Sequence, residues 1–328
     1  MVCQCLHMLL IYASFLILFL LLALYIILKI TTTSYPNIIR YEEEKYFLNV
    51  KSQKKEKFPT IDEEPSLDLS VIIPAYEEEK RLPIMLDECL DFLEDKAKND
   101  KKFSYEVIIV SDGSKDKTVQ VASEYAENFD SNRIRILDLV RNRGKGGAVR
   151  LGMQSGRGKF LLFADADGAT KFPDYEKLEA SISKLCDNDY RNDAIAIGSR
   201  AHLEEEATAT RSIFRTILMH GFHFLVWFFA VRKLRDTQCG FKLMTRSTVQ
   251  KIFPIMHVER WAFDVELLFI AQSYKIPIDE ISVRWTEIDG SKITPFWSWL
   301  QMGRDLILIW FRYATGIWKL NREHFKKQ

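Results

Sequence analysis

The chain has 328 residues, of which 47% are hydrophobic, so it is long enough for one large domain or two small ones with a sizeable core. Its formal net charge of +1 leaves no basic surplus, which argues against a nucleic-acid partner. The five cysteines show no metal-ligand spacing beyond the weak pair Cys3 and Cys5, and they suit a reducing compartment.

After a short tail at residues 1–5, an apolar segment at residues 6–30 is predicted to be a transmembrane anchor. Residues 6–28 contain no Asp, Glu, Lys or Arg, and at about 1.5 Å per residue they can cross a hydrocarbon core of about 30 Å. A cleaved signal peptide is the alternative, but no basic n-region or cleavage site is evident. Basic residues follow the segment rather than precede it, which predicts a single span with the C-terminal part in the cytosol.

Residues 31–66 are charged and contain three prolines, and we expect a juxtamembrane linker there. Short apolar runs then alternate with amphipathic stretches. The runs are typical of strands buried on both faces and lie at residues 69–73, 107–110, 134–139, 160–164 and 194–197. This alternation predicts an α/β domain over residues 67–294, with a mostly parallel sheet and helices on both faces.

Two aromatic, apolar stretches lie in the C-terminal third, at residues 212–231 and 295–318. Both are interrupted by charged residues, so we expect helices that lie in the membrane interface rather than cross it. Ordinary core helices are the alternative, because Trp and Phe at helical spacing usually indicate packing. Residues 200–294 are assigned to the membrane-facing part of the domain, and residues 295–328 to C-terminal interfacial helices.

Carboxylates follow three of the predicted strands, at the sheet edge where ligands bind in parallel α/β folds. Asp165 and Asp167 end the strand at 160–164, and a period of two places both on one side of the chain, where they can chelate Mg²⁺ or Mn²⁺. Alone, Asp-x-Asp is common in solvated turns. Glu78 and Asp112 follow neighbouring strands, where a carboxylate can accept from a base or a ribose hydroxyl.

A basic, glycine-rich run at residues 141–147 precedes a helix that is predicted to begin near Ala148. Cations and glycines at a helix N-terminus favour an anion-binding turn. The run is not a Walker motif, because Gly144-Lys145 is not followed by Ser or Thr.

Several motifs in chain order resemble the family 2 glycosyltransferases of the GT-A fold, and among them most closely the dolichyl-phosphate β-glucosyltransferases. The motifs include VIIPAYEEEKRLP (71–83), SDGSKDKT (111–118), NRGKGGAVRLGM (142–153), LLFADADGATKF (161–172), AIGSRAHL (196–203), DTQCGFKLMTR (236–246) and HVERWAFDVELL (257–268). Because they run over roughly residues 66–318, the resemblance is more specific than any single motif.

The resemblance implies a GT-A (Rossmann-like) fold and a nucleotide-sugar site. The implied donor ligands are Pro74, Ala75, Tyr76, Glu78, Asp112, Ser114, Lys145 and Asp165. Asp165 and Asp167 would hold the metal and the diphosphate. Ala169 stands where related mannosyl enzymes have a further side-chain ligand, and Ser111 replaces the first Asp of the common Asp-Asp-Gly-Ser motif.

The implied acceptor is a lipid phosphate, which is already anionic near pH 7 and needs cations more than a strong base. The planar fork of arginine matches phosphate, so we nominate Arg200, Arg211 and Arg215. Asp236 and Lys242 lie in a motif that could form the acceptor loop, with Lys242 as a further phosphate ligand and Asp236 orienting the acceptor or assisting a proton. Asp264 and Glu266 could support the acceptor side. For each arginine a surface role is the alternative, and for Asp236 a structural cap.

By this resemblance the expected reaction is inverting transfer of glucose from UDP-glucose to dolichyl phosphate, at an endoplasmic reticulum membrane with the catalytic domain in the cytosol. The product would serve protein N-glycosylation. Expected partners are UDP-glucose, dolichyl phosphate and membrane lipid, with a homo-oligomer possible. A mannosyltransferase using GDP-mannose and a non-catalytic nucleotide-binding membrane scaffold are the alternatives.

Overall fold

The computed structural model describes residues 2–49, 51–129, 133–202, 234–288 and 295–320. The helices are α1 (Val2–Thr31), α2 (Leu82–Asn99), α3 (Thr118–Asn128), α4 (Lys145–Met153), α5 (Tyr175–Leu185), α6 (Arg246–Ile252), α7 (Phe263–Ser273) and α8 (Pro295–Ala314). The strands are β1 (Tyr46–Asn49), β2 (Lys54–Lys57), β3 (Leu67–Ala75), β4 (Tyr105–Ser111), β5 (Ile134–Asp138), β6 (Gly158–Ala164), β7 (Ile195–Ser199), β8 (Phe241–Thr245) and β9 (Ile278–Ser282).

Strands β3 to β9 form one seven-stranded sheet in the order β5-β4-β3-β6-β8-β7-β9. The neighbours β5, β4, β3 and β6 are parallel, as are β7 and β9, whereas β8 pairs antiparallel with both β6 and β7. Every residue of β4 is buried, as expected for a strand covered on both faces. The predicted mostly parallel α/β sheet is confirmed.

Alternate residues of the strands supply two hydrophobic cores, one on each face of the sheet. Ile108 and Val110 of β4 pack in a core with residues of α4, α6 and α7. Val107 and Ile109 pack in the other core, with residues of α2, α3 and α5. Helices therefore cover both faces, and the polar site residues are left at the ends of the strands.

Strands β8 and β9 were not predicted from the sequence. Strand β8 is fully buried although Lys242 stands at its second position, so its apolar run is too short to recognise. Strand β9, with sequence IDEIS, pairs only with β7 among the described strands, and its residues are partly buried or exposed.

Helix α1 contains the one stretch among the described residues that is long and apolar enough to cross a membrane, Leu6–Thr31, with a mean hydropathy of 2.8 and none of its window buried in the protein. This agrees with the predicted anchor. At the C-terminal end of α1, Leu28 packs in a small cluster with Ala262, Ile309 and Trp318. Helix α8 and the loop before α7 therefore meet α1 where it ends.

Part of the expected linker at residues 31–66 packs against the domain. Strands β1 and β2 form an antiparallel hairpin, and Phe47 and Phe58 join the core on the α4 face. The buried guanidinium of Arg246 donates to the carbonyl oxygens of Thr60 and Glu63 at 3.3 and 2.7 Å. The charge and proline content of this segment predict a linker. In the structure, two aromatic residues and long-range hydrogen bonds fix part of it against the domain.

Helix α8 agrees with the predicted helical stretch at 295–318, and its Ile307 and Trp310 are exposed. The other predicted interfacial stretch, residues 212–231, lies outside the described residues. Arg211 and Arg215, nominated as acceptor ligands, lie in the same gap between residues 202 and 234.

Candidate active site

The candidate site lies at one edge of the sheet, where strand pairing brings four loops together. Ala75 at the end of β3 pairs with Ser111 at the end of β4. Ala164 at the end of β6 pairs with Phe241, the first residue of the antiparallel β8. The loop before β8 therefore joins the loops that follow β3, β4 and β6, although those loops lie far apart in sequence.

Asp112 fastens the loop that precedes α4. Its two carboxylate oxygens accept from the backbone N–H groups of Arg143 and Gly144 at 2.7 and 2.8 Å, and its own N–H donates to the carbonyl of Ala75 at 2.8 Å. The side chain is buried, and burial raises its pKa despite the two N–H donors. We conclude that Asp112 shapes the predicted anion-binding turn, and direct contact with a nucleoside stays a prediction.

Gly144 is the residue that lets this turn enter α4. Its φ is +91°, a conformation that L side chains rarely adopt, and a Cβ there would lie 2.8 Å from the carbonyl oxygen of Glu259. The N–H of Gly147, in the first turn of α4, donates to that same carbonyl at 2.9 Å. The segment before α7 is thus part of the wall of the turn.

Lys145 points from the start of α4 to the acidic pair. Its Nζ lies 2.6 Å from Oδ1 of Asp165. Burial lowers the pKa of Lys145, but Asp165, Asp264 and Asp167 raise it further, so its pKa lies above the usual value and it stays an ammonium. The structure therefore brings together the predicted donor residues Lys145, Asp165 and Asp167.

Asp165 and Asp167 have the chemistry of a site for a hard divalent cation. Burial and the neighbouring Asp165 carboxylate raise the pKa of Asp167, which indicates repulsion that a cation between them would relieve. Ala169 contributes only a backbone N–H, which donates to Asp167 Oδ1 at 3.0 Å. Within the described ranges no group of three or more His, Cys, Asp or Glu side chains is arranged as a metal site, and the metal assignment of this pair stays a prediction.

Glu78 is engaged by a neighbouring arginine. Arg81 Nε and Nη2 donate to the two carboxylate oxygens of Glu78 at 2.7 and 2.6 Å. Burial lowers the pKa of Arg81, but Glu78, Asp167 and Asp165 raise it above the usual value. Arg81 was missed in the sequence, although its i, i+3 spacing from Glu78 is a visible signal. It adds a second cation beside the acidic pair.

The remaining predicted nucleoside residues line the same rim. Pro74 is partly buried, Ala75 is buried, and Tyr76 is 37% exposed. Ser114 Oγ accepts from the N–H of Glu77 at 3.1 Å, which ties the loop after β4 to the loop after β3. These positions are compatible with the predicted pocket, and their contacts with a nucleoside stay a prediction.

Arg200, directly after β7, is held by Asp236. Its Nε and Nη2 donate to the carboxylate at 2.7 and 2.9 Å, and its N–H donates at 2.9 Å. The guanidinium also lies 5.4 Å from the ring centroid of Trp285. Burial raises the pKa of Asp236, but Arg200 lowers it further, so its pKa lies below the usual value. Asp236 is therefore a poor proton acceptor and fits the role of orienting Arg200.

Lys242 does not face an acceptor. Its side chain is 0% exposed, and its Nζ donates at 2.6 Å to both Asp264 Oδ1 and the carbonyl of Cys239. The structure therefore corrects the nomination of Lys242 as a phosphate ligand, because a buried, paired ammonium is not available to a substrate. Asp264, which the sequence only grouped with the acceptor side, is its partner.

Three further residues position this part of the domain, and sequence reasoning did not single out the first two. Gly240 lies against Asp165, and a Cβ at this position would overlap the Asp165 carboxylate. The carbonyl of Gly240 accepts from the N–H of Asp165 at 3.0 Å. Glu280 of β9 accepts from the N–H groups of Arg235 and Asp236 at 2.9 and 2.8 Å. Glu266, considered only for the acceptor side, accepts from the N–H groups of residues 257 and 258.

Comparison with known proteins gives a consistent result. The family model described as Glycosyl transferase family 2 matches residues 70–253. The chain is 63% identical over 289 residues to the dolichyl-phosphate beta-glucosyltransferase of Drosophila melanogaster, covering 88% of each chain. It is 59% identical over 293 residues to that of Homo sapiens, covering 89% of this chain and 90% of the relative.

A solved structure with the same fold is glucosyl-3-phosphoglycerate synthase from Mycobacterium tuberculosis in complex with uridine-diphosphate. The TM-score is 0.51 at 17% sequence identity, with 77% of this chain and 82% of that chain covered. At this identity the likeness concerns the fold alone.

Proposed function

The chain belongs to glycosyltransferase family 2, and on that premise we propose that it transfers glucose from UDP-glucose to dolichyl phosphate with inversion. The product would be dolichyl β-D-glucosyl phosphate, a lipid-linked glucose donor for protein N-glycosylation. The proposal is carried by one arrangement, in which Asp165 and Asp167 lie beside Lys145 and share a sheet edge with Arg200. Two relatives that match 88–89% of this chain, at 63% and 59% identity, are both named dolichyl-phosphate beta-glucosyltransferase, which supports the proposal.

The donor would lie across the ends of β3, β4 and β6. The turn that Asp112 holds would face its phosphates, and the N-terminus of α4 favours an anion there. Lys145 and Arg81 would compensate the charge of the diphosphate. Asp165 and Asp167 would hold Mg²⁺ or Mn²⁺, which would stabilise the negative charge of the leaving group.

The acceptor needs orientation more than activation. A phosphate monoester carries a charge of about −1.5 to −2 at pH 7, so its oxygen can attack the anomeric carbon as an anion. That oxygen forms the new bond to the anomeric carbon as the bond from that carbon to the diphosphate breaks. Arg200, kept in place by Asp236, would position the attacking phosphate and offset the repulsion between the two anions.

We place the enzyme in the endoplasmic reticulum membrane, with α1 as a single-pass anchor and the catalytic domain in the cytosol. The length and hydropathy of α1 support the anchor. The basic residues that follow it support the orientation.

The test is a transfer assay on the purified full-length chain in detergent, with dolichyl phosphate and either labelled UDP-glucose or labelled GDP-mannose, with Mg²⁺ or Mn²⁺ present or chelated. We expect labelled lipid from UDP-glucose only, in the β configuration, and only with metal. Asp167→Ala should abolish transfer, whereas Asp91→Ala, an exposed aspartate of α2, should not.

Each other result has a defined meaning. Labelled lipid from GDP-mannose would assign the chain to a mannosyltransferase, and UDP binding without transfer would leave a nucleotide-binding scaffold. Unchanged transfer by Asp167→Ala would contradict the metal assignment.

A further inference from the structure

A polar groove lies between α8 and the segment that precedes α7, on the other side of that segment's contact with Gly144. Its volume is about 420 Å³. One wall comes from residues 257–260, and the other from α8 and the turn that follows it. The lining residues on which the argument depends are Arg260, Arg304, Arg312, Leu308, Ile309 and Trp318.

The groove is lined by three arginines, and two of them form no salt bridge within the described residues. Arg260 is exposed. Within residues 234–288 and 295–320, neither Arg260 nor Arg312 forms a salt bridge with a carboxylate. Arg304 contacts only Asp305, its neighbour on α8, at 2.9 Å. Glu259, the other acid in the lining, is taken by the buried Arg150. Three guanidinium groups thus line a groove whose two acids, Glu259 and Asp305, are each already paired with an arginine.

Arg312 has a buried donor atom for which the described residues supply no acceptor. Its guanidinium lies 4.7 Å from the ring centroid of Trp318, and its Nε is buried with no hydrogen-bond partner. Burial lowers the pKa of Arg312 by more than the carboxylates of Asp305 and Glu266 raise it, so the guanidinium is partly desolvated although neither acid forms a salt bridge with it. A bound phosphate would supply both the acceptor and the opposite charge.

The groove lies next to the C-terminal end of α1. Ile309 and Trp318, which line it, pack with Leu28 at the end of α1. The N–H of Lys319 donates to the carbonyl of Ser34 just beyond that end at 3.1 Å. If α1 spans the bilayer, as the proposed function holds, the groove lies at the level of the lipid headgroups.

We propose that this groove binds the headgroup of an anionic membrane glycerophospholipid. The arginines suit its phosphate, because the guanidinium fork matches phosphate oxygens, and Leu308 and Ile309 offer an apolar surface to the glycerol and upper acyl carbons. Such a lipid would fix α8 against the end of α1. It would be a structural ligand from the surrounding leaflet and not the sugar acceptor, whose candidate ligand Arg200 belongs to the sheet edge.

The experiment uses the full-length chain in detergent and measures binding of dioctanoyl phosphatidate, with dioctanoyl phosphatidylcholine as the neutral comparison. We expect saturable binding of phosphatidate alone. Arg312→Gln should weaken it about tenfold or more, the size expected for a hydrogen bond to a charged group. Arg304→Gln should also weaken it, whereas Arg191→Gln, an exposed arginine after α5, should match the wild type.

Competition separates the possible sources of the phosphate. Binding that survives excess UDP, inorganic phosphate and citronellyl phosphate supports the proposal. Displacement by UDP would assign the groove to the donor site, displacement by citronellyl phosphate to the acceptor, and displacement by inorganic phosphate to a site without lipid specificity, and each of these would overturn it. Equal phosphatidate binding by Arg312→Gln and Arg304→Gln would overturn it as well. Wild-type transfer in lipid-free detergent tests the proposed function independently.

Discussion

The two sides of the candidate site are held by different kinds of interaction. On the donor side, residues 74–168, the carboxylates of Asp112 and Asp167 accept backbone N–H groups of nearby loops. On the acceptor side, residues 198–202 and 234–288, side chains hold one another across long sequence distances, as Arg200 does with Asp236. Both sides contain ion pairs and carboxylates that accept backbone N–H groups, but the acceptor side differs in having ion pairs between buried residues that are distant in sequence.

This difference changes what a substitution should do. A carboxylate that accepts backbone N–H groups can be altered with local consequences for one loop. A buried ion pair is more sensitive, because removing one partner leaves an uncompensated charge in the interior. We therefore expect the largest losses of stability on the acceptor side and the sharpest losses of rate where the two sides touch.

The buried pair of Lys242 and Asp264 should give the largest effect. Asp264→Ala would leave the Lys242 ammonium, 0% exposed, without its carboxylate partner and hydrogen-bonded to the carbonyl of Cys239. We expect a loss of about 3–5 kcal/mol in the free energy of unfolding, measured as a large drop in the thermal midpoint in detergent. The double variant Lys242→Met with Asp264→Leu should recover most of it. A single variant as stable as the wild type would contradict the account.

The contact between Gly240 and Asp165 is where the two sides meet. In Gly240→Ala the added methyl would overlap the Asp165 carboxylate and move it away from Lys145. Misplacement of a positioning group by about 1 Å can cost about 100-fold in rate, and we expect a loss of that size in kcat/KM for the donor. If the two act together, adding Asp165→Ala to Gly240→Ala should cost much less than the separate losses predict. If the two losses in kcat/KM simply add, Gly240 and Asp165 act independently.

The sequence predicts the donor side well because its signals are local. Apolar runs identify five strands of the large sheet, and the polar residues directly after them fall at the correct edge. Asp112, Lys145, Asp165 and Asp167 are each recognisable from their immediate neighbours. The antiparallel β8 is harder, since Lys242 interrupts its apolar pattern, yet that strand delivers Gly240 to Asp165.

The acceptor side could not be predicted in the same way. Whether a lysine or arginine faces a substrate depends on its partners, and these are distant in sequence: Arg200 meets Asp236 36 residues away, and Lys242 meets Asp264 22 residues away. Its place in the suggested acceptor-loop motif made Lys242 a candidate phosphate ligand, whereas tertiary packing makes it a structural cation. Glu280 and Glu266 were missed as positioning residues for the same reason.

The pair of Arg200 and Asp236 tests whether the acceptor side contains a proton acceptor. Asp236→Asn should lose about 1.5–3 kcal/mol of stability at neutral pH, as expected for hydrogen bonds between charged groups. Because the folded pKa of Asp236 is lowered, the stabilisation is fully present above the unfolded value of about 3.9 and is lost as pH falls through the folded pKa. The difference in thermal midpoint between wild type and variant should therefore be constant from pH 8 to 5 and shrink only below about pH 4.

Two controls complete this test. Asp95→Asn removes an exposed partner of Lys98 and should change the midpoint little, because surface pairs are worth about 0–1 kcal/mol. The transfer rate of the wild type should show no acid limb between pH 5 and 8 that disappears in Asp236→Asn. Such a limb would make Asp236 a general base and reverse its assignment as the residue that orients Arg200.

The smallest expected effect tests how far the influence of α8 extends into the donor side. Tyr313 Oη donates to Glu266 Oε1 at 2.8 Å, and Glu266 also accepts from the N–H of Val258 at 2.6 Å. The backbone carbonyl of the next residue, Glu259, accepts from the N–H of Gly147 at the start of α4. Tyr313→Phe removes one donor to this carboxylate while the N–H donors of residues 257 and 258 remain, so the stability loss should be about 1.5 kcal/mol, the low end for a hydrogen bond to a charged group. A KM for UDP-glucose that rises a few-fold with kcat unchanged would show that α8 positions the donor turn, whereas an unchanged KM would confine Tyr313 to packing and leave the two sides of the site independent.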